Sequence, residues 1–324
     1  FHHIIADGPS MGVYIKDLGA FYEARLSGRK GKLADMPLQF ADYAIWEREN
    51  IQGELFQRQL EYWRHNLDGA ALLEIPTDFP RPAVHGFFGK KVKFEIGSET
   101  GRKLRRLGRE QGATIFMCLL AVYQLLLHKY SGQEDIVVGS AMTNRIRVEL
   151  EKLIGLFVNT VALRTDFSGD PPFRVILNRV RDCCLGAFAN MDLPFEETIA
   201  QIQPHRDLSR QGSPLFQFML IHNPGGRGRR QEEKDSVPRL RPGDPHNDTG
   251  HANFDLLLST RDTPDGLVKV TMAYDTELFR QETIDRMILY FQLIMESVTD
   301  YPDKPISQLN MVNDDERKEM LVHW

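Results

Sequence analysis

The chain has 324 residues, 42% hydrophobic and 26% charged, which is enough apolar material for one large core or two modest ones. Its formal net charge of -5 gives no global attraction to nucleic acid or an anionic membrane, so small molecules and proteins remain as partners. Cys118, Cys183 and Cys184 are odd in number and lack C-x-x-C spacing, which argues against a disulfide framework or zinc site and fits a reducing, cytoplasmic location.

In chain order, Phe1-His2-His3-Ile4-Ile5-Ala6 reads as a strand, and Asp7-Gly8 as a turn. Pro9 then stands where proline is favoured at a helix start, and the helix is predicted to run to about Ser27. No signal peptide opens the chain. The glycine-bearing connector 28–32 separates that helix from a second helical stretch that carries Trp46, Leu55, Leu60 and Trp63 and ends near Leu67. Alternating Val92, Phe94 and Ile96 predict a strand. The apolar run 115–127, interrupted by Gln124, is too short for a bilayer and predicts a buried helix ending near Gly132.

A short strand at 136–138, a strand over 157–167, a helix over 172–188 and a strand over 215–221 follow. The irregular stretch 223–253 reads as a surface loop. Its Arg227, Arg229 and Arg230 are followed directly by Glu232, Glu233 and Asp235 without interleaved aromatics, which favours a solvated loop over an RNA site. Residues 254–260 and 267–273 flank Asp265-Gly266, a hairpin signal. Ile284, Met287, Ile288, Phe291, Ile294, Met295 and Val298 share one face of a closing helix, and residues 301–324 read as a linker.

Chemistry-bearing residues concentrate at the start, in His2-His3-Ile4-Ile5-Ala6-Asp7-Gly8. On a strand His2 and His3 point to opposite faces, so only one can meet a reaction centre, and no third ligand converges with them on a metal. A purely structural reading is also complete: Asp7 caps the following helix and Gly8 supplies a turn conformation.

The pattern H-H-x-x-x-D-G with Ser10-Met11-Gly12-Val13 resembles the signature of nonribosomal peptide synthetase condensation domains. Further matches occur in that family's order: Phe40-Ala41-Asp42-Tyr43-Ala44-Ile45-Trp46, Ile154-Gly155-Leu156-Phe157-Val158-Asn159-Thr160 with Leu163-Arg164, and Asp192-Leu193-Pro194-Phe195-Glu196. Arg206-Asp207-Leu208-Ser209-Arg210 with Pro214-Leu215-Phe216-Gln217, and then Asn253-Phe254-Asp255-Leu256, complete the series. Departures are the insertion Gln211-Gly212-Ser213, Asn190-Met191 in place of His-Gln, and Pro9 in place of tryptophan.

The resemblance implies an α/β fold like chloramphenicol acetyltransferase, built of two-layer α+β sandwich lobes with a tunnel between them. It assigns residues 1–36 to the end of an N-terminal lobe, 37–308 to the C-terminal lobe and 309–324 to a linker toward a downstream adenylation domain. By this pattern the chain is a fragment lacking the first part of the N-terminal lobe, and residues 1–324 alone are expected to be inactive.

The implied reaction joins a donor thioester to an acceptor amine, each held on the phosphopantetheine arm of a carrier protein, with no cofactor bound directly. His3 aligns with the catalytic histidine. Imidazole, with an ordinary pKa of about 6.5, is suited to accept or relay the proton an α-ammonium loses before attack. His2, Asp7, Gly8, Arg145 and Asn159 are supporting residues by the same resemblance. Asp7 is expected in an ion pair with Arg145, amides near Gly8 are candidate oxyanion donors, and Asn159 is expected near the tunnel.

Gly12-Val13 leans toward an L-configured donor. An epimerisation domain shares the double histidine and remains an alternative, as does a lobe that only docks carrier or adenylation domains. A single-histidine plant-type acyltransferase is disfavoured because no Asp-Phe-Gly-Trp-Gly segment occurs.

Overall fold

A computed structural model describes residues 2–33, 35–84, 86–145, 147–202, 215–225 and 250–312. The Arg206 match, its insertion up to Pro214, the arginine-rich loop and the final linker residues 313–324 lie outside the described residues.

The described chain is built around a six-stranded mixed sheet. Its strands are β1 (Gly89–Ile96), β2 (Asp135–Thr143), β3 (Val158–Asp166), β4 (Phe218–Asn223), β5 (Leu256–Asp262) and β6 (Val268–Asp275), in the spatial order β1-β6-β5-β4-β2-β3. β4 runs parallel to both β2 and β5, and the remaining pairings are antiparallel. The predicted hairpin is the β5–β6 pair, with Gly266 in its turn.

The helices are α1 (Gly8–Leu26), α2 (Phe40–Asn50), α3 (Gly53–Leu67), α4 (Ser98–Glu110), α5 (Ile115–Ser131), α6 (Phe173–Ala189), α7 (Phe195–Ile202) and α8 (Gln281–Asp300). α5 is the centre of the core: it packs on α4, α6 and α8 and against β2, and every residue from Met117 to Leu127 is buried. Thr114 caps its start by accepting from the Met117 amide at 3.3 Å, and Gly132 ends it in the left-handed region at φ 68°. Gln124, buried within this apolar run, donates to the Leu163 carbonyl at 3.0 Å and so joins the helix to β3. No single described helix is long and apolar enough to cross a membrane.

Three expectations change. Residues 3–5 form a 3₁₀ turn rather than part of a strand. No described strand lies beside them to complete a ladder, so the backbone closes local bonds from Ile5 to His2 and from Ala6 to His3. The second helical stretch is two helices, divided at Ile51-Gln52, with Gly53 at φ 60° absorbing the break. The 136–138 strand is one part of the longer β2, because the ladder with β3 runs from Asp135 to Thr143 and β4 adds pairing at Gly139 and Ser140.

α4 and α7 have no counterpart among the predicted elements. α4 buries Gly101, Leu104, Leu107 and Gly108 along one stripe. It lies so close to α5 that a Cβ on Gly108 would come within 2.8 Å of the Cys118 sulfur. Arg105 reaches Asp262 at 2.9 Å and the Gly266 carbonyl at 3.0 Å, fastening α4 to the β5–β6 hairpin.

Candidate functional site

β2 and β3 are joined by residues 144–157, a connection that leaves the sheet, makes a 3₁₀ turn over Val148–Lys152 and returns, its two ends held by the Asn144 amide donating to Phe157 at 2.7 Å. The start of α1 docks on this connection. α2 packs on it through a small separate cluster of Tyr43, Leu150, Leu153 and Phe157, with Phe40 against them.

Asp7 is the N-cap of α1 and accepts from the Ser10 amide at 2.9 Å. Its carboxylate faces Arg145 across 138 positions of sequence, with Arg145 Nη2 2.8 Å and Nε 3.3 Å away, while the Phe157 amide donates to it at 3.2 Å. Both side chains of the pair are almost wholly enclosed, 0% exposed for Asp7 and 4% for Arg145. Arg145 also donates to the carbonyls of Leu150 and Leu153 and lies 4.1 Å over the Phe157 ring, so its donors are divided between the start of α1 and the connection. A buried pair is tolerable only when its remaining donors and acceptors are satisfied in this way. Burial pushes the Asp7 carboxyl up, but hydrogen bonds from Arg145 and Ser10 outweigh it and hold the pKa below the usual carboxylate value.

Ser10 is 0% exposed. Its hydroxyl meets Asp7 Oδ1 at 2.6 Å, Arg145 Nη2 at 2.8 Å, and both the carbonyl and the amide of Gly155, at 2.9 and 3.1 Å. Residue identity assigns no role to Ser10 or to the Gly155 and Phe157 amides, although all three stand inside segments matched to the family.

The two histidines diverge. His2 Nδ1 accepts from the Ile4 amide at 3.2 Å and so caps the 3₁₀ turn. His3 is exposed, and its imidazole makes no hydrogen bond to a described residue. His2 stands outside the turn as its extended N-cap with its ring engaged there, whereas His3 is the first residue of the turn. Among the described residues no group of three or more His, Cys, Asp or Glu side chains could hold a metal.

Gly8 opens α1 without a positive φ, and a Cβ there would meet nothing within 4 Å. The turn conformation expected of it is therefore not used: Gly8 is already the first residue of α1, entered from an extended Asp7. Of the first-turn amides, Pro9 has none and that of Ser10 is taken by Asp7. Asn159 lies apart from this cluster. Its amide donates to the carbonyls of Met191 and Leu193, each at 2.8 Å, and its oxygen accepts from Phe195 at 3.1 Å, so the side chain holds the segment leading into α7. Gln59 helps from α3, bonding Asp192 at 2.9 Å and the Leu193 amide at 2.8 Å. Arg164 is paired with Asp135 at 2.8 Å, and Asp255 with Arg81.

The family model for the Condensation domain matches residues 1–321. Over its whole length the chain is 44% identical to one of the subunits of linear gramicidin synthase from Brevibacillus parabrevis and 38% identical to surfactin synthase subunit 1 of Bacillus subtilis (strain 168). It spans 4% and 9% of the lengths of those two proteins. Among solved structures, the complex of the X-domain and OxyB from teicoplanin biosynthesis superposes with a TM-score of 0.83 at 29% identity, over 97% of this chain and 69% of that one. A four-domain nonribosomal peptide synthetase bound to AMP and glycine shares the fold with a TM-score of 0.81 at 20% identity, over 98% of this chain and 24% of that one. The architecture is the α/β, chloramphenicol acetyltransferase-like one, and the chain belongs to the condensation domain family.

Proposed function

We propose that this chain forms an amide bond between a donor aminoacyl or peptidyl thioester and the amine of an acceptor aminoacyl thioester, both presented by carrier proteins, within a nonribosomal peptide synthetase. The donor is proposed to be L-configured, on the strength of Gly12-Val13 after the histidine motif. In this reading residues 1–36 close an N-terminal lobe, 37–308 form the C-terminal lobe, and 309–324 lead to an adenylation domain in a cytoplasmic enzyme. The observation that carries the proposal is the exposed His3 imidazole, placed on a turn directly before the buried Asp7–Arg145 pair, in a chain matched almost end to end by the condensation family.

A thioester is already activated, so chemistry asks little of the protein beyond aligning the two tethered reactants and removing a proton from the amine. Alignment alone supplies roughly 7–11 kcal/mol in favourable systems. His3 takes or relays the proton, being the imidazole of the pair left unengaged by the fold. The Gly8 amide, at the positive end of α1, is the donor this turn can offer to the tetrahedral oxyanion. Asp7 and Arg145 touch no reacting atom in this scheme and hold the turn in place.

The test uses the complete synthetase that contains this chain, with both carriers loaded. His3→Ala is expected to abolish or severely slow dipeptide formation while both carriers still load. Equal product from variant and parent overturns the assignment.

A further inference from the structure

We propose that Ser10 is a positioning residue for the reaction at His3, acting through its buried hydroxyl and without touching substrate. A serine hydroxyl has one donor and two acceptor sites. Arg145 Nη2 at 2.8 Å and the Gly155 amide at 3.1 Å fill the acceptor sites, and the single proton lies between Asp7 Oδ1 at 2.6 Å and the Gly155 carbonyl at 2.9 Å. The hydroxyl is therefore saturated, and in a site with no solvent access these bonds have no water to replace them.

What the hydroxyl adds to the ion pair is a fixed distance. Arg145 binds the connection 144–157 at Leu150 and Leu153, and Asp7 binds it at Phe157. At Gly155 both backbone groups meet α1 through Ser10. Gly155 cannot drift toward α2, because its α-carbon is flush against the Phe40 ring, which a Cβ would meet at 2.1 Å. Ser10 thus sets how far the first turn of α1 stands from that wall. Among the described residues the His3–Ile5 turn makes hydrogen bonds only within residues 2–6, and the docked first turn of α1 follows it directly in the chain.

Loss of the hydroxyl leaves the Asp7–Arg145 pair in place but frees the first turn of α1 to shift against residues 153–157. A displacement of about 1 Å at a distance from the chemistry costs on the order of 100-fold in rate. The loss belongs in kcat, because substrate is not bound by Ser10. Threonine should substitute. It keeps the oxygen, and a small half-open apolar pocket of about 110 Å³, lined by Ile5, Ala6, Met11, Tyr14 and Ile154, lies beside Ser10.

The inference rests on the reading of His3 as the reacting histidine, and the experiment separates the two. In the complete synthetase, Ser10→Ala, Ser10→Thr and His3→Ala are compared by single-turnover dipeptide formation at varied acceptor-carrier concentration, and by melting temperature. For Ser10→Ala we expect kcat lower by about 100-fold, with KM within about threefold of the parent and a melting transition retained, and for Ser10→Thr recovery to within about tenfold. Parental kcat in Ser10→Ala, a loss that threonine does not recover, a loss confined to KM, or failure of Ser10→Ala to fold each overturns the proposal. An active His3→Ala refutes the functional reading instead, whatever Ser10 does.

Discussion

Along the 19 residues of α1 only Ser10 is fully buried, and Phe21, Tyr22 and Leu26 stay exposed; along the 20 residues of α8, Ile284, Met287, Ile288, Tyr290, Phe291, Ile294, Met295 and Val298 are all buried. The two helices are similar in length and opposite in what holds them. α8 is held by many apolar contacts, each fully buried large side chain contributing roughly 1.5–3 kcal/mol. α1, with the histidines ahead of it, is held at its first turn by one enclosed ion pair and the hydroxyl that joins it. An enclosed pair adds little net stability, since desolvation offsets the attraction, but removing one partner is expensive. Within residues 2–312 the described contacts of the histidine-bearing end thus concentrate at the first turn of α1, and those of the core spread over an area.

This contrast sets the expected reach of two substitutions of similar cost. Arg145→Ala leaves the Asp7 carboxylate buried without its partner and should cost about 3–5 kcal/mol. Phe291→Ala opens a cavity at a fully buried position and should also cost about 3–5 kcal/mol. Hydrogen exchange distinguishes them. Arg145→Ala should release residues 2–33 and the 144–157 connection while α5 and β2 keep their protection, and Phe291→Ala should weaken α5, β2 and α8 together. Equal loss of protection in α5 and β2 from both variants would abolish the distinction between point and area.

Acid should act on the first region by the same route. The Asp7 pKa is depressed in the folded chain by Arg145 and Ser10, against the effect of burial, so the unfolded state binds the proton more readily. Its contribution is then fully present above the ordinary carboxylate value of about 3.9 and is lost as the pH falls through the lower folded value. Limited proteolysis of residues 2–33 on descending from about pH 5 to about pH 2 should show release in that window, and Asp7→Asn should remove the dependence. A flat profile in the parent chain would mean that the carboxylate does not hold the docking.

How much of this is legible in the sequence follows the same division. α5, α8, β1 and the β5–β6 hairpin declare themselves through long apolar runs, sustained periodicity or a glycine turn. α4 does not, because two of its four buried positions are Gly101 and Gly108 and the rest of its surface carries Arg102, Lys103, Arg105, Arg106 and Arg109. Its apolar stripe is reduced to two leucines. Phe1 to Ile5 carries strand-like composition, but an apolar run of that length becomes a strand only where a partner supplies the ladder. At the site, Asp7 and Arg145 can be paired by resemblance across the sequence, whereas Ser10 cannot be given its place. Its role depends on the Gly155 amide and carbonyl, and backbone groups leave no trace in residue identity.

Asn159 tests the contrast at its smallest scale, as a polar point of attachment within the apolar-cored part. It sits on β3, half-buried, and its four contacts run to Met191, Leu193, Phe195 and the neighbouring Thr160 amide. Asn159→Leu keeps the branching of the side chain and removes all of them, leaving two carbonyls and two amides to find water or go unpaired. Net hydrogen-bond contributions near 1 kcal/mol each, partly recovered by solvent at a half-buried position, put the expected loss at about 1–3 kcal/mol. The damage should stay within residues 190–202, because Gln59 still holds Asp192 and Leu193 from α3 and the β2–β3 ladder does not depend on the side chain. Chemical denaturation gives the size of the loss and hydrogen exchange its extent. If Asn159→Leu instead loosened residues 2–33, the segment before α7 would be coupled to the histidine turn. A stability equal to the parent's would show that these bonds only replace water.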